Sequence, residues 1–447
     1  MKKTRMRLLL FVLAALLALP LGGCVLQTVD KMYSLPKRSA EERGLQAQIN
    51  KVLVSADYCA PLAGENQQAV QLVDLDGDGD DEALLFAKGT DEKPLKLYIF
   101  HKQDGAYVLS DTLEGVGAAF DRVEYAQVDG SEGMEILIGR QLSDDVLRAL
   151  SVYTFRSGQA ELLTSAVYTS FLTTDLDVNG RRELVIARPG SETNGVLEYY
   201  DFQSGTLDRR SQAELSLPAG QLKRLITGGL SADARGVFAT GSLEDQGLLT
   251  DVFMLQDGKL VNLSQSSAEG SMQTLCGYEV YPTDIDGDGM IELPRLLEEP
   301  SIQAEGAMPS RFSILWYNFT PAGERTDKRL TYHNFSDGWY LDLPMALKDR
   351  LTVSAGSVGG VTTLEFRLNS ASASRIAFTI YAYSGSGRGE AAAQAGEFSL
   401  TATDEIVYTA SLTEGWEREG ISEEYLKGAF HVLRLDWSVD DLGRGNT

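Results

Sequence analysis

The chain has 447 residues and a formal net charge of −24, from 64 acidic residues against 40 Lys and Arg residues. This negative charge argues against binding to nucleic acid and against direct electrostatic docking onto anionic lipid. The three histidines, His101, His333 and His431, have no matching Ser, Cys or Asp motif, and no P-loop, dinucleotide fingerprint or nucleophile elbow occurs. We therefore do not expect an enzyme.

Residues 1–23 have the composition of a bacterial export signal. A basic start is followed by an apolar run over residues 8–19, which is too short to span a bilayer as a permanent helix. Leu21-Gly22-Gly23-Cys24 is similar to a lipobox. We expect a lipoprotein signal peptide over 1–23, lipid on Cys24, and an exported chain anchored to the cell membrane on its extracytoplasmic side. An ordinary signal peptide with an incidental cysteine is the alternative.

Residues 24–58 are expected to hold the lipidated Cys24, a tether and one short helix. Ser39 precedes an amphipathic pattern and has Glu42 in the capping-box position. The apolar residues of this helix would lie on one face: Leu45, Ile49, Val52 and Leu53. We interpret it as a spacer packed on the body of the protein, with a partner-binding helix as the alternative.

Three nine-residue stretches between apolar runs repeat one acidic pattern. They read Asp-Leu-Asp-Gly-Asp-Gly-Asp-Asp-Glu at 74–82, Asp-Leu-Asp-Val-Asn-Gly-Arg-Arg-Glu at 175–183 and Asp-Ile-Asp-Gly-Asp-Gly-Met-Ile-Glu at 284–292. A degenerate copy at 127–135 has Gln at position one and Ser at position five. We call these the first, third, fifth and second loops, by the repeat in which each lies.

Oxygen atoms at positions one, three, five and nine of such a loop can converge if the backbone curls tightly, and Gly at position six permits the positive φ that the curl needs. Hard oxygen ligands with loose geometry suit Ca²⁺. Position twelve is Leu85, Ile186 or Arg295 rather than the Glu of an EF-hand, and the flanks are strand-like. An acidic turn without an ion remains the alternative, and it is the expected state of the second loop.

The loops begin at residues 74, 127, 175 and 284, so the gaps are 53, 48 and 109 residues. The last gap is close to two repeats, which predicts a degenerate copy near residue 229 in the apolar segments 225–230 and 237–240. Self-similarity at about 50 residues indicates a propeller or solenoid array. About four short strands in each repeat favour a propeller blade.

With these loops and their apolar flanks, residues 60–330 resemble the FG-GAP/VCBS repeat family of β-propellers. The resemblance implies that each loop joins the first two strands of a blade and holds a structural Ca²⁺, about three sites in all. The implied side-chain ligands are Asp74, Asp76, Asp78 and Glu82; Asp175, Asp177, Asn179 and Glu183; and Asp284, Asp286, Asp288 and Glu292. Asp80, Arg181 and Met290 would contribute only their backbone carbonyls. Pro294 after the last loop requires an edge or bulged strand.

The predicted fold class is therefore all-β. We expect repeats of the FG-GAP/VCBS type over 59–333 and a C-terminal β-rich region over 334–447 that supplies the last blades. This gives a propeller of about seven four-stranded blades, five of them recognisable, with a short N-terminal helix. A five- or six-bladed propeller with a C-terminal β-rich domain is the alternative. A short capped helix is expected at 422–427. Cys59 and Cys276 could pair in an oxidising location, but two free thiols are expected.

For function, the leading hypothesis is a surface-anchored, calcium-stabilised binding or adhesion module for a protein or glycan ligand. A cell-envelope scaffold without an external ligand is the second hypothesis. An enzyme acting on surface polysaccharide or phosphate esters is the third and weakest. The membrane would be contacted only through the lipid on Cys24, and we expect a monomer that does not bind nucleic acid.

Overall fold

The computed structural model describes residues 39–142, 147–265, 270–297, 311–369, 373–414, 416 and 419–433. The export signal and Cys24 therefore lie outside the described residues. Within them, six antiparallel sheets form, together with three α-helices at Ala40–Val52 (α1), Arg388–Gln394 (α2) and Glu423–Ala429 (α3). The prediction of an all-β chain is confirmed. None of the described helices is long and apolar enough to cross a membrane.

The first four sheets follow one another along the chain. The first contains Asp57–Tyr58 (β1), Val70–Val73 (β2), Glu82–Lys88 (β3), Leu95–Gln103 (β4) and Ala106–Gly115 (β5). The second contains Ala119–Ala126 (β6), Glu135–Gln141 (β7), Arg148–Arg156 (β8) and Gln159–Tyr168 (β9). The third contains Ser170–Thr174 (β10), Glu183–Pro189 (β11), Gly195–Gln203 (β12) and Thr206–Glu214 (β13). The fourth contains Leu222–Ser231 (β14), Ala234–Ser242 (β15), Leu248–Gln256 (β16) and Lys259–Asn262 (β17).

Two further sheets follow. The fifth contains Leu293–Leu297 (β18), Arg311–Phe319 (β19), Arg325–Asn334 (β20) and Trp339–Leu343 (β21). The sixth contains Leu351–Val358 (β22), Val361–Asn369 (β23), Ser374–Ser384 (β24), Phe398–Ala402 (β25) and Ile406–Leu412 (β26), with β26 between β24 and β25. The chain then returns through α3, and Phe430–Val432 (β27) pairs with β21 of the fifth sheet.

The described residues thus form six sheets rather than the seven blades predicted. Residues 334–447 were expected to supply about two blades, but part of this region belongs to the fifth sheet. The predicted boundary between residues 333 and 334 falls inside β20, and β21 pairs with β20 in the fifth sheet. The sixth sheet, whose longest strand has 11 residues, is formed from strands between residues 351 and 412. β27 pairs with β21 in the fifth sheet and does not start another sheet.

The strand patterns explain how these sheets are covered. Residues 83–87 of β3 are all apolar and buried, as expected for a strand with protein on both faces. In β4, Leu95, Leu97 and Ile99 are buried and alternate with less buried residues, which is the period of a strand with one inward face. Leu84, Phe86 and Ile99 of the first sheet lie in one hydrophobic cluster with residues of the second sheet, which are Phe120, Val123, Ile136, Ile138 and Phe155.

Consecutive sheets pack against each other in chain order. Four further clusters join the second sheet to the third, the third to the fourth, the fourth to the fifth and the fifth to the sixth. Helix α1 packs on the first sheet through Leu45, Ile49, Val52 and Leu53, and Ser39 and Glu42 form both hydrogen bonds of a capping box. The predicted N-terminal helix and its packing on the body of the protein are therefore confirmed, and its role as a spacer remains a prediction.

Three smaller predictions also have outcomes. The degenerate repeat near residue 229 is present as the hairpin β14–β15. Pro294 lies in β18, an edge strand of the fifth sheet, where no neighbour needs its missing N–H. Cys59 and Cys276 are free thiols, and burial raises the pKa of Cys276 to about 11.

Candidate metal centres

Each acidic loop leads into a strand of its sheet and curls as the sequence predicts. The second and third loops join the first two strands of a sheet, whereas the first loop joins β2 to β3 and the fifth follows Thr283, which pairs with Glu292 in an isolated bridge. The glycines at position six, Gly79, Gly180 and Gly289, have φ of 89°, 87° and 82°. In each loop the position-one Asp accepts N–H groups from inside the curl. In the third loop, Asp175 accepts from Asn179 N at 2.8 Å and from Gly180 N at 2.9 Å. These bonds draw the loop around a common centre.

The structure brings the predicted carboxylates together in all three full loops. Oxygen atoms from positions one, three and nine lie within 4.8 Å of one another, and the sets are Asp74, Asp76 and Glu82; Asp175, Asp177 and Glu183; and Asp284, Asp286 and Glu292. Each of these three clusters could therefore hold a metal ion. Like charges at this separation repel, so a cation between them would stabilise the folded loop.

The glutamate at position nine closes each loop from the strand side. Glu82, Glu183 and Glu292 are fully buried, although each begins or precedes a strand. One oxygen of each accepts the backbone N–H of position two: Glu82 from Leu75 at 2.9 Å, Glu183 from Leu176 at 2.8 Å and Glu292 from Ile285 at 3.1 Å. The second oxygen, Oε1, of each glutamate does not take part in this bond.

That second oxygen provides the test of whether a metal fits. Glu183 Oε1 is buried and has no hydrogen-bond partner among the described residues. Burial raises the pKa of Glu183 to about 7, because the charged form is poorly solvated there. A buried carboxylate oxygen without a protein donor, on a glutamate that clusters with Asp175 and Asp177, has the chemistry of a ligand to a hard cation.

Positions five and seven are less uniform. Asp78 joins the first cluster through Asp76, whereas Asp288 lies outside the fifth-loop cluster, and its Oδ1 accepts Met290 N at 2.8 Å. Asn179 Oδ1 accepts Arg181 N at 2.8 Å in the same way. At position seven the Asp80 side chain pairs with Lys102 at 2.9 Å. The proposed carbonyl ligation by Asp80, Arg181 and Met290 remains a prediction.

The second loop has a different arrangement. Glu135 still closes it, with Oε2 accepting Val128 N at 2.7 Å and Asp129 N at 3.1 Å. The fully buried Asp129 carboxylate, however, pairs with the guanidinium of Arg156 on β8. A protein cation therefore balances the charge at position three. That this loop binds no ion remains a prediction.

One residue beside each cluster was not predicted from the sequence. The residue after each position-nine glutamate pairs with a residue of the next strand, and the pairs are Ala83 with Phe100, Leu184 with Tyr200 and Leu293 with Tyr317. The residue that follows each of these partners faces the glutamate or its loop. These residues are His101, Asp201 and Asn318. His101 Nδ1 lies 2.8 Å from Glu82 Oε1, and Asn318 Nδ2 donates to Glu292 Oε1 at 2.8 Å. Asp201 instead accepts from Arg181 at 2.6 Å.

A cavity of about 510 Å³ lies beside the third loop. In the fourth sheet only two residues separate β14 from β15, where the other repeats have the acidic loop, and the cavity is next to this shortened turn. Its lining combines apolar residues with polar groups that include charges of both signs: Asp177, Asp201, Gln203, Arg210, Asp233 and Arg235. Tyr199 and Met254 contribute to its wall.

No protein-family model and no curated protein matches the chain. Similar solved structures include the exotype rhamnogalacturonan lyase YesX, at 16% identity and TM-score 0.27 over 71% of this chain and 63% of that chain. Rhamnogalacturonan lyase YesW matches at 13% identity and TM-score 0.31 over 70% of this chain and 74% of that chain. Bacillus licheniformis rhamnogalacturonan lyase PL11 matches at 14% identity and TM-score 0.27 over 72% of this chain and 71% of that chain. The chain thus spans less than two thirds of the first of these, and such TM-scores carry no argument about activity.

Proposed function

We propose that this protein is a calcium-stabilised β-propeller of the FG-GAP/VCBS type that serves as a binding module for a protein or glycan ligand. The observation that carries the proposal is the convergence of three carboxylate sets, each in a loop that leads into a strand of its sheet. In this proposal, the six sheets stacked in chain order are the blades. The proposal also includes export and the lipid anchor on Cys24, which rest on the sequence alone.

Calcium is the cation that these sets suit best as a group. The carboxylate sets of the third and fifth loops offer only oxygen atoms as ligands. Ca²⁺ binds six to eight oxygen ligands at about 2.3–2.6 Å with loose geometry. When bound, Ca²⁺ would neutralise carboxylates that otherwise repel. At millimolar free Ca²⁺ and a Kd near 0.1 mM, each site adds about 1.4 kcal/mol to the free energy of unfolding.

Loops of neighbouring sheets are also joined by hydrogen bonds, so a bound metal would stabilise the contact between two sheets as well as its own loop. Met134 N in the second loop donates to Leu75 O in the first at 3.1 Å, and Arg182 N in the third donates to Gln127 O at 3.3 Å. The approach is close, since a Cβ added at Gly133 would lie 2.1 Å from Leu75 O. Ordered loops at these junctions would hold the sheets in fixed relative positions.

The cavity beside the third loop is the candidate ligand site. Its size is in the range of small-molecule sites, and its guanidinium, amide and carboxylate groups suit the hydroxyls of a sugar. The two acids nearest the loop are already engaged, since Asp177 accepts from Asn179 and Asp201 accepts from both Arg181 and Gln203. Such groups are placed to orient a ligand rather than to exchange protons with it.

Thermal unfolding with EDTA and with millimolar Ca²⁺ tests the metal part of the proposal. We expect Ca²⁺ to raise the midpoint by many degrees in the wild type. The variant Asp76→Asn, Asp177→Asn, Asp286→Asn keeps the size of each side chain but removes one charge from each set, so it should lose most of that rise. Equal midpoints with and without Ca²⁺ in the wild type would overturn the metal assignment.

Binding to an array of glycans tests the ligand part. We expect retained glycans to be lost on Arg210→Ala with Arg235→Ala, since both side chains line the cavity. Arg375→Ala, which removes an exposed Arg from the sixth sheet, is the matched control and should bind as the wild type does. A pull-down from cell-envelope extract covers protein ligands, and the absence of any retained ligand in both experiments would contradict a binding function.

A further inference from the structure

The three clusters differ in one residue that is not part of the loop. At the position facing the cluster from the next strand, the first sheet has His101, the third has Asp201 and the fifth has Asn318. The Asp201 carboxylate forms an ion pair with Arg181, and the Asn318 amide nitrogen donates a hydrogen bond to Glu292. Only His101 brings an imidazole nitrogen, which can ligate a metal when it carries no proton, so the first cluster has a different donor set from the other two.

The position of His101 is suited to ligation. Its Nδ1 lies 2.8 Å from Glu82 Oε1 and 4.0 Å from Asp76 Oδ2, and ligand atoms of His101, Asp76 and Asp78 lie within 4.8 Å of one another. Around an ion with metal–ligand distances of about 2.0–2.1 Å, neighbouring ligands are about 3 Å apart and opposite ones about 4 Å. The imidazole also contacts the ring of Phe155 at a centroid distance of 6.4 Å, which limits its movement.

The chemistry of this donor set favours another class of ion. Ca²⁺ binds through oxygen, whereas imidazole nitrogen suits Zn²⁺ and other first-row transition dications. We propose that the first loop is a mixed nitrogen and oxygen site for such a dication, with His101 as a ligand beside Asp76 and Asp78 and with Asp74 and Glu82 completing the set. The third and fifth loops remain calcium sites. This inference rests on the proposed function only in that it takes the three clusters to be metal sites.

Metal competition on the full chain tests the inference. In equilibrium dialysis with millimolar Ca²⁺, the proposed function requires about three bound Ca²⁺ ions. Micromolar Zn²⁺ should displace one of them and leave two. If no Ca²⁺ binds, the proposed function fails. If three Ca²⁺ bind and Zn²⁺ displaces none, this inference alone is overturned.

His101→Asn is the matched variant, because it introduces the residue that the fifth sheet has at the same position. It should bind three Ca²⁺ ions and show a Zn²⁺ affinity at least about tenfold lower than the wild type. Retained calcium binding and an unchanged circular dichroism spectrum show that the variant has folded. The reciprocal variant Asn318→His should gain a second Zn²⁺ ion, and a Zn²⁺ affinity that is equal in His101→Asn and the wild type overturns the assignment.

Spectroscopy distinguishes direct ligation from a hydrogen bond to Glu82. The chain has only three histidines, so the imidazole signals in an NMR spectrum are few enough to assign by substitution. Zn²⁺ should shift the one signal that disappears in His101→Asn, and Co²⁺ should give an absorption band that changes in that variant. A Co²⁺ spectrum that is identical in both proteins would show that His101 does not ligate the metal.

Discussion

Glu183 and Leu176 are joined by a hydrogen bond of 2.8 Å from the Leu176 N–H to Glu183 Oε2, and this bond closes the third loop from inside the sheet. Leu176 is itself buried between the third and fourth sheets. The loop is therefore fixed to the core at two points, and Glu183 Oε1 is the oxygen left for a metal. In the proposed calcium site, structural anchoring and metal binding would thus be divided between the two oxygens of one carboxylate.

Glu183→Gln separates these two roles. The amide oxygen can still accept from Leu176, but an amide nitrogen replaces the charged oxygen. In EDTA we expect the variant to be at least as stable as the wild type, because it no longer buries a charge. In millimolar Ca²⁺ we expect it to be less stable by about 1.4 kcal/mol, the contribution of one site. Thermal unfolding in the two buffers measures both effects.

Glu192→Gln is the control for this experiment, since Glu192 is exposed in the connection between β11 and β12 and should change neither midpoint. If Glu183→Gln gains as much stability from Ca²⁺ as the wild type, then Glu183 is not a ligand.

Arg156 supplies the balancing charge in the second loop. The Asp129 side chain is fully buried, while that of Arg156 is 55% exposed. Arg156→Met should lower the free energy of unfolding by about 1–2 kcal/mol, less than for a fully buried pair, because solvent screens the guanidinium. Chemical denaturation measures the change, and Arg375→Met in the sixth sheet should have little effect.

A second substitution tests the physical cause. If the cost of Arg156→Met arises from an unbalanced carboxylate, then Asp129→Asn should recover part of it in the double variant. A double variant that is less stable than Arg156→Met by the full effect of Asp129→Asn would show that the two residues are not coupled.

Much of the local structure could be predicted from the sequence. The capping box at Ser39, the curl of the three acidic loops and the edge position of Pro294 all follow from residue chemistry within about ten positions. The residue beside each cluster could not be predicted, because it depends on strand pairing. From the position-nine glutamate to His101, Asp201 and Asn318 the separation is 19, 18 and 26 residues, so no fixed spacing marks it.

The number of sheets was mispredicted for a related reason. In the first four sheets a two-residue turn with Gly second joins the last two strands, at Asp104-Gly105, Ser157-Gly158, Ser204-Gly205 and Asp257-Gly258, and all eight residues have positive φ. These turns recur with the same period as the loops and would have identified the fourth repeat directly. The C-terminal region lacks this marker at that period, and dividing its length by a blade length therefore gave the wrong count.

Val178 is under backbone strain in the third loop. Its φ is 59°, whereas the first and fifth loops have Gly77 and Gly287 at this position, with φ of 76° and 79°. A residue with a Cβ pays about 1–2 kcal/mol for this conformation. The Val178 side chain is 50% exposed, so it recovers little of that cost through packing.

Val178→Gly should therefore stabilise the protein by about 0.5–1 kcal/mol, after the entropic cost of glycine in the unfolded chain is subtracted. Chemical denaturation in saturating Ca²⁺ measures the difference. Val167→Gly is a suitable control, since Val167 is an exposed residue of β9 with ordinary strand geometry, and that change should destabilise the protein. A loss of stability in Val178→Gly would show that the side chain contributes more than the strain costs.

Glu135 gives a pH dependence that does not involve a metal site. Its side chain is almost completely buried, and burial raises its pKa to about 7 from an ordinary value of 4.5. The folded protein therefore holds this proton more tightly than the unfolded chain. The resulting stability is fully present below pH 4.5 and is lost as the pH rises through about 7. By pH 8 the loss is at most about 3 kcal/mol.

Glu135→Gln removes this titration. The amide oxygen can accept the two backbone N–H groups of Val128 and Asp129, and the amide nitrogen can donate to the Asp129 carboxylate. In saturating Ca²⁺, which keeps the other loop glutamates ionised, the variant should be more stable than the wild type at pH 8 and similar to it at pH 4.5. Urea unfolding across this range measures the difference. A stability difference that stays constant from pH 4.5 to pH 8 would mean that Glu135 ionises alike in the folded and unfolded chains, and that burial does not govern its charge.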